Sequence, residues 1–163
     1  LETAVPDDLR ESGMDGTRQD GTDPPACHSF IYASAALFPP RDVLIDIVRV
    51  ADHANAGHGI SGMLCYGACR YVQLLQGPRP ALDRLAWSLA RDLRHRILWT
   101  HRRGPGLRTI PAALPMGYAS DAQLRELRLA LPPCDTAPDD PARLAALLST
   151  IAARIYPATC AAG

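Results

Sequence analysis

The sequence predicts an α/β (α+β) fold: a ferredoxin-like sandwich whose mixed five-stranded sheet carries two helices on one face, followed by two C-terminal helices. Three observations lead there. Periodic segments run in the order β-α-β-β-α-β-β and then α-α. The two central strands are close enough in sequence to form a hairpin, and both intermediate helices carry an apolar stripe at helical spacing. The length of 163 residues suits one domain of about 100–150 residues plus a tail. With 47% apolar residues the chain can bury a core.

The first strand is Phe30 to Ser34, with Phe30, Tyr32 and Ser34 on one face. Pro39-Pro40 breaks the chain and launches a helix over roughly 41–57, striped by Leu44, Ile47, Val48 and Ala51 and ended by Gly57 and Gly59. Ile60 to Tyr66 and Arg70 to Gln76 form two strands joined at Gly67-Ala68, and Gly77-Pro78 stops the second. A second helix runs over roughly 79–93 with Leu82, Leu85, Ala86 and Leu89 inward. Ile97 to Thr100 is the fourth strand, Arg102 to Pro115 reads as a loop around Gly104-Pro105-Gly106, and Met116 to Ala119 is a short fifth strand. Helices follow around 121–131 and 139–156, separated by Pro132-Pro133 and Pro138. The last carries Leu144, Leu147, Leu148, Ile151 and Ile155, more apolar area than a solvent-facing helix tolerates; it is expected to cover the free face of the sheet, with a partner chain as the alternative.

Charge divides the chain unevenly. Residues 1–29 hold seven acids and two arginines, a net of −5, without hydrophobic periodicity, so they are expected to form a disordered acidic leader. Residues 30–120 are expected to form the folded domain and 121–163 a helical extension packed on it. The chain opens on Leu1, and Met14 is one candidate start. Overall, seventeen basic residues balance seventeen acids, which gives no general basis for holding nucleic acid or an anionic membrane. Every basic residue is Arg, which removes Schiff-base lysine chemistry and Walker-type phosphate binding. No apolar run approaches the roughly 20 residues of a spanning helix. Cys27, Cys65, Cys69, Cys134 and Cys160 contain no Cys-x-x-Cys pair and read as reduced thiols of a cytoplasmic protein. His53, His58, Cys65 and Cys69 are close in sequence, but their spacing matches no zinc framework, so no metal is expected.

Three polar residues stand where the pattern predicts burial. Asn55 follows Val48 and Ala51 on the core stripe of the first helix, Gln73 shares parity with Tyr71 and Leu75, and Tyr32 points from the first strand. A buried amide without a partner costs about 1–3 kcal/mol. Taken singly, a helix cap, an edge position and an ordinary core tyrosine account for them. Together, from three elements enclosing one space, they suggest a planar polar ligand between the helices.

The segment from Phe30 to Ala119 resembles a BLUF domain, the flavin-binding blue-light sensor module. The resemblance rests on Phe30-Ile31-Tyr32-Ala33-Ser34, the helix from Leu44 to Asn55, and Gly59-Ile60-Ser61-Gly62-Met63-Leu64, which is similar to the family's Gly-Ile-Thr-Gly-x-Leu. Tyr71-Val72-Gln73-Leu74-Leu75-Gln76-Gly77-Pro78 is similar to its Phe-x-Gln-x-Leu-Glu-Gly-Pro, Asp92-Leu93-Arg94-His95 to its Asp-x-Arg-His, and Met116 to its late methionine. The resemblance implies a non-covalently bound flavin, FAD with FMN as the alternative, held by Tyr32, Asn55, Gln73, Asp92, His95 and Met116. It implies that Tyr32 and Gln73 form a photochemical relay in which light drives electron and proton transfer from the tyrosine and the glutamine amide rearranges. It implies no turnover reaction, and an output by binding to a protein partner or to a second copy. Nucleic acid and membrane are not expected partners.

Several positions depart from the family pattern: Leu114 stands for its Trp, Pro111 for its Phe, Gln76 for its Glu, and Ala54 and Ser88 for longer polar residues near the flavin. Pro111 and Pro115 remove ladder donors, so the fifth strand is expected to be short, edge-like or displaced. Two other readings stay open: a BLUF-like interaction module without flavin, and an acyl-phosphate hydrolase, for which no Gly-rich phosphate loop is present.

Overall fold

Pairing with two neighbours begins at the start of the first strand. The computed structural model describes residues 26–37 and 40–160, so most of the acidic leader expected over 1–29 lies outside the described residues. Strand β1 (Cys27–Ala36) begins three residues before its expected start, because His28 and Ser29 already pair with Gly77 and Gln76. Helix α1 (Pro40–Gly57), the hairpin strands β2 (Ser61–Gly67) and β3 (Arg70–Gly77), and helix α2 (Arg79–Ala90) follow. They lead to β4 (His95–Gly106), β5 (Gly117–Ser120), α3 (Asp121–Glu126), α4 (Pro141–Ile155) and the short α5 (Pro157–Cys160).

The sheet order is β4-β1-β3-β2-β5, antiparallel except for β5, which lies parallel to β2. This is the ferredoxin-like arrangement with one added edge strand. β5 is four residues long and at the edge, as the flanking prolines predict. β4 corrects the expected loop: it continues through Arg102 to Gly106, with Arg103 opposite Ser29 and Gly106 opposite Cys27. An edge strand tolerates Pro105 because its outward N–H is not needed by a neighbour. α2 stops at Ala90 rather than 93, and the next turn is held by Asp92 Oδ1 accepting from the Arg94 N–H at 3.0 Å. α3 ends at Glu126 rather than near 131, before Arg128 at φ 55°.

Strand alternation sorts the core into two layers. Phe30, Tyr32, Leu64, Tyr71 and Leu75 face α1 and α2, packing with Leu44, Ala81 and Leu82. Ile31, Ala33, Met63, Cys65, Val72 and Leu74 face the other way, where Leu144, Leu148, Ile151 and Ala152 of α4 cover them. The apolar stripe of α4 is thus buried on its own sheet. Gly117 lies on this side, where an added Cβ would meet Met63 Sδ at 2.8 Å and the Tyr156 ring at 3.0 Å.

The hairpin turns at Ala68-Cys69, one residue beyond Gly67-Ala68, since Gly67 pairs with Arg70. Both turn residues have positive φ, 49° and 59°, as a two-residue hairpin loop demands. A left-handed conformation costs a non-glycine residue about 1–2 kcal/mol, part of which glycine gives back as chain entropy. Cys69→Gly is therefore expected to raise stability by about 0.5–1 kcal/mol, read as a higher urea midpoint at unchanged slope. A lower midpoint would contradict this account of the turn.

Candidate functional site

Between α1, α2 and the sheet lies a cavity of about 300 Å³, at the small end of the range of roughly 300–1,000 Å³ for small-molecule pockets. Its walls are mainly apolar, supplied by Ile47, Val50 and Ala51 from α1, Leu85 and Leu89 from α2, and Leu64 and Leu75 from the sheet. All six expected ligand-binding residues (Tyr32, Asn55, Gln73, Asp92, His95 and Met116) line it.

Register brings the first pair together. Tyr32 of β1 stands directly opposite Gln73 of β3, with both side chains on the helix side of the sheet. The Tyr32 hydroxyl donates to Gln73 Oε1 at 2.5 Å, and Gln73 Nε2 donates to Met116 Sδ at 3.2 Å. The result is a Tyr–Gln–Met chain in which one carboxamide uses both its acceptor and its donor. Tyr32 and Gln73 are only 3% and 4% exposed. Burial raises the phenol pKa of Tyr32 far above its ordinary value, with the charges of Asp92 and Tyr71 adding to it, so the hydroxyl keeps its proton at any physiological pH.

Asn55, 2% exposed, occupies the last turns of α1. Its carbonyl accepts from the His58 and Ile60 N–H groups, closing the helix, while Nδ2 donates at 2.9 Å to the Pro115 carbonyl. Its amide thus ties α1 to the residue before Met116. Asp92 and His95 follow α2. Asp92 is engaged in a forked ion pair with Arg94, from Nε at 2.8 and 3.0 Å and from Nη2 at 2.5 Å, which holds its carboxyl below the usual range. His95 is different: its Nδ1 is buried with no hydrogen-bond partner, and burial lowers its pKa, favouring the neutral ring. The ring lies 6.1 Å from that of Tyr32 and 6.4 Å from that of Tyr71, centroid to centroid.

Three contributions were not legible as functional in the sequence. Gln76 Oε1 accepts from the N–H groups of Thr109 and Ile110, at 2.9 and 2.8 Å, while Nε2 donates to Ser29 Oγ. Arg108 donates to Ser61 Oγ and to the Gln76 and Gly59 carbonyls. Together they clamp the start of the segment that carries Pro115 and Met116. From the C-terminal end of α4, the Tyr156 hydroxyl accepts from the Tyr118 N–H at 2.9 Å and donates to the Tyr118 carbonyl at 3.2 Å, closing the open edge of β5. The departures are also placed: Ala54 and Ser88 line the cavity, whereas Leu114 is buried on the opposite face with Ile110 and Leu148. Among the described residues no group of three His, Cys, Asp or Glu could hold a metal ion; Cys65 is buried in the sheet and Cys69 exposed at the turn.

The donor set suits a planar heteroaromatic ligand. Apolar walls would take its faces, while a carboxamide, a phenol and the orphaned imidazole nitrogen offer polar contacts for its edge. A smaller adjoining space of about 220 Å³, bounded by His58, Arg84 and Ser88, could take a polar side chain of that ligand.

Fold and pocket together define a ferredoxin-like domain with a ligand-sized cavity between helices and sheet and a hydrogen-bonded phenol and amide on its wall. Residues 27–106 match the family model described as BLUF, sensors of blue-light using FAD. Residues 27–106, from β1 to β4, are thus the part of the chain that matches the BLUF family; Met116 and β5 lie beyond them. Among solved structures it is similar to BlrB, a BLUF protein in its dark state, at 26% identity and a TM-score of 0.65, covering 80% of this chain and 98% of that one. The BLUF domain of BlrP1 is 26% identical with a TM-score of 0.55, covering 78% of this chain and 90% of that one. The Klebsiella pneumoniae BlrP1 complex with manganese and cyclic diGMP is 25% identical with a TM-score of 0.57; the match covers 80% of this chain and 34% of that much longer one. No curated protein matches the chain. Among the described residues no helix is long and apolar enough to cross a membrane.

Proposed function

We propose that this chain is a light-driven hydrogen-bond switch that holds FAD in the cavity between α1 and α2 and signals by protein contact rather than by turning over a substrate. The observation that carries the reading is the buried chain from Tyr32 through Gln73 to Met116. Flavin, when bound, supplies blue-light absorption and an excited state that takes up an electron. Tyr32 is the electron and proton donor of the relay, since its hydroxyl already points its proton at Gln73 Oε1. Gln73 is the switching group: rotation or tautomerisation of its amide exchanges donor and acceptor. After rotation an oxygen would face Met116 Sδ, where the nitrogen now donates, so the bond to Met116 is lost. One such exchange is worth about 1 kcal/mol, enough to bias a segment with two arrangements several-fold. That segment is Pro115 to Tyr118, held by Asn55, Gln73 and Tyr156. His95 and Asp92 serve the pocket wall, His95 through its free nitrogen and Asp92 through the turn it forms with Arg94.

Asn55 is the residue whose loss should most weaken flavin binding. Asn55→Ala removes the amide from the cavity wall, and at about 1–3 kcal/mol for a buried hydrogen-bonding group the FAD dissociation constant is expected to rise by roughly ten- to a hundredfold. Titration of FAD into the wild type and the variant, each checked for its melting temperature without FAD, measures this. Unchanged affinity would contradict the role given to Asn55. The second reading, an interaction module without flavin, is favoured by the small cavity and by Ala54 and Ser88 on its wall. Purified protein that is colourless and takes up no FAD in the same titration would favour this reading over the first.

A further inference from the structure

We infer that Tyr71 is a second electron donor to flavin held in this cavity, one that competes with Tyr32 without driving the Gln73 switch; the inference rests on the flavin reading above. Tyr71 lies on the same face of β3 as Gln73 and lines the same cavity. It stands where the family motif quoted above has Phe, so a ring that gives up an electron with difficulty is replaced by a phenol, which can release a proton along with it. Its neighbour across the hairpin is Tyr66, directly opposite in register, with ring centroids 4.9 Å apart and planes tilted by 46°. Tyr66 is only half-buried. Cavity wall, second phenol and surface therefore follow one another in a line that leads away from Gln73.

The hydrogen bonds decide the difference between the two donors. Gln73 spends its oxygen on Tyr32 and its nitrogen on Met116, and neither atom is bonded to Tyr71. When light-excited flavin takes one electron from Tyr32, the phenolic proton has Gln73 as its path. When the electron comes from Tyr71, the proton passes to water at the cavity mouth, leaving a neutral phenoxyl radical and a flavin reduced by one electron. Tyr66 can then refill Tyr71 with one electron while losing its own proton to solvent, and Tyr71 takes one proton back from water at the cavity mouth, which moves the oxidised site outward. Return of one electron and one proton restores the starting state, and at no point is the Gln73 amide obliged to turn.

The test uses the full chain loaded with FMN, in wild type, Tyr32→Phe, Tyr71→Phe and the double variant, with FMN affinity measured for each. The readouts are FMN fluorescence lifetime and the yield of the light-induced red shift. Tyr32→Phe is expected to lose the red shift yet keep its FMN quenched, and the double variant to be several-fold brighter. Tyr71→Phe alone is expected to give a higher red-shift yield than the wild type. In the Tyr32→Phe background, Tyr66→Phe should leave quenching in place and shorten the life of the tyrosyl radical absorption. If Tyr32→Phe is already as bright as the double variant, Tyr71 is no donor and the inference falls while the flavin reading stands. Failure of the wild type to take up either FMN or FAD would overturn both, and shows itself before any light is applied.

Discussion

Leu148→Ala is expected to cost about 2–5 kcal/mol of stability, the range for large-to-small changes at fully buried sites. Leu148 has no exposed surface and sits in the layer where α4 meets Ile31, Met63, Val72 and Leu74. Single domains have roughly 5–15 kcal/mol in total, so the loss is a large share of it. At about 2–4 °C per kcal/mol for a chain of this size, the melting temperature should fall by roughly 10 °C. Leu107→Ala, at a position 90% exposed, is the control and should change stability by less than about 0.5 kcal/mol. A chain ending at Ala137 would uncover the same apolar face and is expected to aggregate or to melt far lower. Equal melting of Leu148→Ala and wild type would contradict the packing of α4 on its own sheet.

Removing either member of the relay is expected to abolish the red shift while leaving flavin bound. Tyr32→Phe deletes the hydroxyl that donates to Gln73, and Gln73→Leu keeps the volume of the side chain but deletes both its donor and its acceptor. The apolar walls that would hold the flavin ring are untouched by either change. Both variants, saturated with FAD, are compared with wild type by light-minus-dark absorption. A red shift that survives in either would refute a two-membered relay. Gln73→Leu should also loosen the contact with Met116, so the segment from Pro115 to Tyr118 should lose amide-exchange protection in the dark.

Much of this was legible because it follows from periodicity. Alternation along β1 and β3 assigns Tyr32, Gln73 and Tyr71 to one face, and the stripe of α1 assigns Asn55 to the side of that same layer; the structure places all four on the cavity wall. Elements whose bounds depend on long-range pairing were not legible. Gly104-Pro105-Gly106 carries every local signal of a loop, yet it extends β4 because Cys27 and Ser29 lie beside it and an edge strand has no use for the missing donor. α2 loses its expected last turn to Asp92, whose side chain closes a local turn with Arg94 in competition with helical bonding. Gln76 looked like a simple departure from Glu, since its partners Thr109 and Ile110 are more than thirty residues away. Tyr156 gave no sequence signal either: its role depends on β5 ending up as an open edge.

The central claim is that the Tyr32–Gln73–Met116 chain converts blue light into a hydrogen-bond change. Its most direct test is the absorption spectrum of the wild-type chain saturated with FAD, taken in the dark, after blue light, and again on return to darkness. The account predicts a red shift of the flavin band with the oxidised flavin retained, reversing in the dark. A flavin-loaded protein whose spectrum is unchanged by light, or which only bleaches as the flavin is reduced, would contradict it.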